Sequence, residues 1–154
     1  WFDIPKSPRV KIRVGDAGTV TRSFAPASRD VVIRDVFAVD KTPAELTSVD
    51  FVRTVDHSLA PGGLYILNCG DGPSLDGARA EVAALFEVFE QVCLVADAAM
   101  LKGRRRGNII IAASHSPLPA AGSAEAAAIS RTLMGGGVPA QYRDSAQTRQ
   151  FARL

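Results

Sequence analysis

The sequence predicts an α/β fold: one open, doubly wound sheet, mostly parallel, with helices on both faces in three layers and an antiparallel hairpin strand late in the chain. Three observations predict it. Apolar, β-branched runs alternate with segments whose apolar residues recur every three or four positions. Two of the runs, 30–37 and 64–69, are almost continuously apolar, as strands covered on both faces are. Two later runs, 92–96 and 108–113, are joined by too few residues for a crossover helix and read as a hairpin at the sheet's edge.

Composition narrows the class. At 154 residues the chain suffices for one ordinary domain. Apolar residues make up 47% and charged residues 22%, which excludes a disordered tail, a collagen-like fibre and a disulfide scaffold. Eighteen basic residues against sixteen acidic leave a net charge of +2, so neither nucleic acid nor a membrane surface is an expected partner. Cys69 and Cys93 lie in apolar runs and read as buried free thiols, which suits a reducing cytoplasm. No apolar stretch approaches the roughly 18 residues of a membrane span. Trp1-Phe2-Asp3-Ile4-Pro5 resembles neither a signal peptide nor a natural start, so the chain is expected to begin partway through a larger protein.

The elements follow in order. Val10 to Val14 alternates apolar and basic residues, the mark of a strand with one covered face, and Gly15-Asp16 closes it. A short helix follows over 19–24, with Val20 and Phe24 on one side. After the strand at 30–37, Thr42-Pro43-Ala44-Glu45 reads as a capping box with proline at the first helical position. That helix runs to about Ala60, stacking Phe51, Val55 and Leu59, and Pro61-Gly62-Gly63 ends it. After the strand at 64–69, Ser74 caps a helix with a Leu75, Ala78, Val82, Leu85, Phe89 stripe. Past the hairpin, Ser123 to Met134 is an alanine-rich helix stopped by three glycines, and a polar helix spans 141–152. Two regions result: residues 1–115 hold the sheet, and 116–154 form a helical extension.

Open α/β sheets bind ligands outside the carboxyl ends of their strands. Four polar residues fall there: Asp16, Asp35, Asn68 and Asp71. Asp35 sits late in an apolar strand, where it either pairs with Arg34 or Arg53 or faces a bound ligand. Asp16 and Asp71, each beside glycine, are turn residues or ligand contacts. Asn68 either satisfies a loop backbone or offers its amide to a ligand. His57 suits the end of its helix, and His115 a surface loop; neither has a second ligand at metal spacing. Lys102 and Arg104-Arg105-Arg106 form a basic hairpin turn that guards an edge or meets an acidic partner.

Arg9-Val10-Lys11-Ile12-Arg13-Val14-Gly15-Asp16-Ala17, then Asp30-Val31-Val32-Ile33-Arg34-Asp35, then Phe51 through Pro61-Gly62-Gly63-Leu64-Tyr65 resemble, in order and spacing, the spermidine synthase family. The resemblance covers residues 1 to 115 and implies a Rossmann-like, class I S-adenosylmethionine-dependent methyltransferase fold. It implies transfer of an aminopropyl group from decarboxylated S-adenosylmethionine to an amine such as putrescine. In the family, the aspartate matching Asp16, with Ala17 beside it, meets the adenine end of the nucleoside, and the one matching Asp35 faces the reacting amine. The expected ligand contacts are thus Asp35 as catalytic acceptor, Asp16, Ala17 and Asn68 on the nucleoside, and Asp40 and Asp71 on the amine. Ala38 stands where the family has a second aspartate, and the amine-holding tyrosine loop has no counterpart around 98–106. The family's glycine-rich first turn would precede Trp1. Hence the expectation is the carboxyl-terminal part of an aminopropyltransferase, weak or inactive alone, completed by self-association or an amino-terminal segment. The alternatives are an S-adenosylmethionine-dependent methyltransferase and a non-catalytic assembly module.

Overall fold

A computed structural model describes residues 9–39 and 41–154. Among them are five strands and six α-helices. In chain order these are α1 (Ala17–Arg22), β1 (Arg29–Arg34), α2 (Val49–Ser58), β2 (Leu59–Asp71), α3 (Asp76–Phe86), β3 (Gln91–Ala96), α4 (Ala98–Leu101), β4 (Gly107–Ser114), α5 (Ala124–Met134), β5 (Gln141–Arg143) and α6 (Ser145–Ala152). The α/β, Rossmann-like sheet expected from the sequence is present, in the order β1-β2-β4-β3-β5.

The pairing differs from the mostly parallel sheet expected. Only β1 and β2 pair in parallel; the other three ladders are antiparallel. β1, β2 and β3 nevertheless point the same way, because β4 is antiparallel to both of its neighbours. The hairpin strand is therefore not at the edge. β4 threads between β2 and β3, and its Ile109, Ile111 and Ala113 are fully buried. The continuous apolar run from Ile109 to Ala113 suits such an interior place better than an edge.

Val10 to Val14 is not a strand; Val10, Ile12 and Val14 are exposed. Its alternation offers one apolar face, but no described neighbour supplies a ladder or a layer to cover it. The run from Asp30 is likewise covered on one side only, since β1 is the outermost strand and Val31 and Ile33 lie exposed. Thr42 does not cap a long helix. A single 3-10 turn, Ala44–Leu46, comes first, and Ser48 caps α2 by accepting the Phe51 N–H at 3.2 Å. Pro61-Gly62-Gly63 does not end that helix either; α2 stops at Ser58 and the triplet forms a wide bulge inside β2. Gly62 takes φ +78°, and a side chain on Gly63 would come within 2.8 Å of the Ala60 carbonyl oxygen.

One face of the sheet carries the core. Tyr65, Leu67 and Cys69 of β2 pack there with Ile109 and Ile111 of β4 and Leu94 of β3, under α2, α3 and α6. The final polar helix starts later than expected. Gln141 to Arg143 instead forms β5 against β3, and Asp144 then caps α6 in a capping box with Gln147. On the opposite face, Tyr142 Oη donates to the Pro119 carbonyl at 2.7 Å.

Two polar anchors hold the layers. Arg34, only 4% exposed, points from β1 into the helical layer. Its guanidinium meets Glu81 of α3 at 2.6 Å and donates to the Leu46 carbonyl at 2.8 Å. Burial lifts the Glu81 carboxyl above its ordinary range, against the pull of Arg34. Burial likewise pushes the Tyr65 hydroxyl, beside this pair, up to about 12. At the other rim, His115 lies between Asp56, 2.8 Å from Nε2, and Glu90, which meets Nδ1. Its ring tilts against Phe89, with centroids 5.0 Å apart.

Glu81→Ala should cost about 3–5 kcal/mol in urea denaturation, since it leaves the Arg34 charge buried without its partner. Desolvation alone would lower the His115 pKa, but hydrogen bonds to Glu90 and Asp56 outweigh it and raise it. Folding then favours the imidazolium. Its contribution is complete below the unfolded pKa of about 6.5 and fades as pH rises through the higher folded value. The melting-temperature gap between wild type and His115→Gln should therefore be widest near pH 6 and shrink on the alkaline side; a gap independent of pH would refute the clamp.

Candidate active site

The carboxyl ends of β1, β2 and β3 share one rim, because those strands run in the same direction. A residue's parity along its strand decides which face of the sheet it serves. Arg34 points into the core, so Asp35 emerges on the opposite side. There Asn68 of β2 donates from Nδ2 to Asp35 Oδ1 at 3.1 Å. Asn68 shares a cross-strand pair with Ile110, and it too faces away from the helical layer. Asp35 is exposed, and one of its carboxylate oxygens is thus fixed by an amide. The side-chain amide oxygen of Asn68, Oδ1, is buried without a hydrogen-bond donor.

Asp71 leaves β2 on the other side. Its carboxylate holds the start of α3, accepting the Gly72 N–H at 2.7 Å and the Ala78 N–H at 2.8 Å. This replaces the expected Ser74 cap: Leu75 occupies the cap position at φ 60° and offers no side-chain acceptor. The close approach requires Gly77, where a side chain would come within 3.3 Å of Asp71 Oδ2. Beside Asp71 opens a cavity of about 380 Å³, with Cys69 and Glu81 in its wall and Lys41, Asp76 and Arg106 around it. Burial pushes the Cys69 thiol far up, which makes it an inert wall rather than a nucleophile. A smaller cavity of about 270 Å³ adjoins, with Phe37 and Asn108 beside the shared Gly70, Asp71 and Arg106.

The expected ligand contacts thus divide. Asp35 and Asn68 come together on one face of the sheet. Asp71 lines the cavity of the other face, and neither Asp35 nor Asp16 lines that cavity. Asp16 caps α1, accepting the Thr19 N–H at 2.8 Å, and the hydrogen bonds to Thr19 hold its carboxyl below the usual range. Ala17 is the first residue of α1, which packs on α2. Asp40 lies outside the described residues. The basic turn is partly committed as well: Arg105 meets Asp97 at 2.8 Å, and Asp97 caps α4. Sequence reasoning missed Glu81 as part of this rim. Its signal was present, since Glu81 interrupts the stripe running from Ala78 through Val82 to Leu85.

A parallel strand pair with Asp35 just past one carboxyl end and Asp71 at the other, next to an antiparallel strand inserted beyond β2, accords with a Rossmann-like sheet of the class I methyltransferase type. Within that class the chain has a spermidine-synthase-like fold. It superposes over 99% of its length on a probable spermidine synthase from Corynebacterium glutamicum, with a TM-score of 0.94 and 57% sequence identity. It spans 55% of that protein's chain. It also matches the spermidine synthase of Thermotoga maritima over 96% of its own length and 47% of the other chain, at a TM-score of 0.56 and 15% identity, a likeness of fold alone. No protein-family model matches the chain, and no curated protein matches it.

Asp71→Ala should destabilise the chain by about 1 kcal/mol through loss of the α3 cap, while Asp71→Asn should retain part of that stability. Urea denaturation of the two variants measures both effects.

Proposed function

We propose that this chain forms part of a spermidine-synthase-like aminopropyltransferase, moving an aminopropyl group from decarboxylated S-adenosylmethionine to a small amine such as putrescine. The observation that carries the reading is the 57% identity, over 99% of the chain, to the probable spermidine synthase of C. glutamicum. The chain spans only 55% of that protein, so the activity of the whole enzyme is proposed here rather than inherited. A cytoplasmic setting accords with soluble metabolites as substrates. No helix among the described residues is long and apolar enough to cross a membrane.

Asp35 carries the chemistry in this reading. An alkyl ammonium has a pKa near that of lysine, about 10, so it must lose a proton before it can attack carbon. The Asp35 carboxylate holds the cation, receives that proton and directs the freed lone pair. The nitrogen forms a bond to the carbon beside the sulfonium. The carbon–sulfur bond breaks, and its electron pair leaves with sulfur as a neutral thioether. Asn68 fixes one oxygen of Asp35 and leaves the other for the amine. Asp16 and Ala17 attend the nucleoside in this reading. No metal has a part in these steps.

One observation favours a second reading, a non-catalytic assembly module: Asp35 and Asp16 both lie outside the 380 Å³ cavity. Calorimetric titration separates the two. Heat on adding decarboxylated S-adenosylmethionine supports the aminopropyltransferase. Heat from S-adenosylmethionine alone points to a methyltransferase, and heat from neither leaves the assembly module. Where putrescine is turned over, Asp35→Asn should reduce the rate by about 100-fold or more with little change in melting temperature; an unchanged rate would remove Asp35 from the chemistry.

A further inference from the structure

Asp35 and Asn68 begin a row of side chains that continues toward the rim. β1 and β2 run in parallel register, with Arg34 beside Leu67. The next residues on the two segments are Asp35 and Asn68, whose side chains meet. Two residues further along each segment stand Phe37 and Gly70. They meet as well: a Cβ on Gly70 would lie 3.0 Å from Cε1 and 3.7 Å from Cζ of the Phe37 ring. Alternate residues of a strand share a face, so Gly70 looks out on the same side as Asn68. The Phe37 ring therefore shares the open face with the Asp35 carboxylate, about 7 Å nearer the rim, two residues of extended chain.

Glycine is what permits this contact. A side chain at position 70 would push the ring off the sheet; without one, the ring rests against the bare backbone of β2. Asn108 of β4 stands opposite Gly70 and brings its Oδ1 to 3.5 Å from the same Cβ position. Phe37, Gly70 and Asn108 line the 270 Å³ cavity, which Asp71, Arg106 and Gly107 complete. Phe37 is 37% exposed, so the ring keeps a surface toward that space. A phenyl ring offers a large apolar area and no hydrogen-bonding group. All of these contacts lie within the chain, so the geometry does not depend on what covers the face.

We propose that Phe37 is a specificity-determining residue: its ring, seated on Gly70, takes the methylene stem of a primary alkylamine whose nitrogen is held at Asp35. The inference rests on the aminopropyltransferase reading and adds which part of the acceptor is recognised beside its charge. Asn68 occupies one oxygen of Asp35 and leaves the other to the nitrogen. Along the row toward the rim, the next side chain that a stem meets is the Phe37 ring. The nitrogen is selected by charge and the stem by apolar contact.

Nuclear magnetic resonance titration of the isotopically labelled chain with ethylamine, propylamine and butylamine tests this. Each probe carries one charge, and they differ in the stem alone. The Asn68 side-chain amide reports on the nitrogen, and the Phe37 ring on the stem. Both signals should shift together, and affinity should rise about threefold with each added methylene. Phe37→Ala should flatten that rise while changing ethylamine affinity by less than about twofold. Phe37→Leu should retain most of the rise. Gly70→Val, which displaces the ring without altering it, should flatten the rise as well. Retained ethylamine binding separates a lost stem contact from a variant that fails to fold. Two results would overturn the proposal, each in its own way. Amines that shift the Asn68 amide with no dependence on stem length, or a dependence that survives both Phe37→Ala and Gly70→Val, would remove Phe37 and leave Asp35 as the amine's site. Amines that shift neither signal would remove the Asp35 reading, and the stem contact with it.

Discussion

The buried pairing of Arg34 with Glu81 is the constraint on which the arrangement of this rim depends. A guanidinium in a low-dielectric layer tolerates few orientations, and the Glu81 carboxylate with the Leu46 carbonyl supplies one. It ties the outermost strand to α3 and closes the 3-10 turn over both. Side chains alternate along a strand, so fixing Arg34 inward also fixes Asp35 outward. The carboxylate that could do chemistry is placed by the charge that cannot. A slip of β1 by one residue would bury Asp35 beside Glu81, two acids together, and would expose Arg34. The electrostatic cost of that slip defines the register of a strand that has a ladder on one side only.

Much of this was legible in the sequence. The strand–helix alternation gave the α/β class, and the Leu75 to Phe89 stripe located the main covering helix. What escaped were features decided by neighbours. Val10 to Val14 carries a faultless strand pattern and is not a strand, because a pattern specifies a face and not a partner. The capping box at Thr42 to Glu45 lost to Ser48, whose cap begins a longer helix beneath β2. Pro61-Gly62-Gly63 has the composition of a helix stop and serves as a bulge, since the same freedom of φ suits both uses. The inward placement of β4 could have been inferred from its continuous apolar run, Ile109 to Ala113, as an edge strand seldom carries so many apolar residues in succession.

The candidate site was legible as a list and not as a geometry. Asp35, Asn68 and Asp71 were all found at the rim, yet β2 sends Asn68 and Asp71 to opposite faces because three positions separate them. Asp71 spends both carboxylate oxygens on the start of α3. Its position between two glycines after the third apolar run reads as a turn residue or a ligand contact. In the fold it sets the direction of α3, and through α3 the position of Glu81. The acid that shapes the cavity and the acid that meets Asn68 thus belong to one mechanical unit, linked through Glu81 and Arg34.

That linkage bears on why an exposed edge and an exposed carboxylate occur on the same strand. Parallel strands ordinarily lie between covered faces, and β1 has its β-branched residues in the open. Whatever covers Val31 and Ile33 must also deal with the charge of Asp35, which follows two residues later on the same face. An apolar partner alone would leave that carboxylate partly desolvated without a cation. A covering surface must therefore bring positive charge in register, a strand's width from the apolar contact.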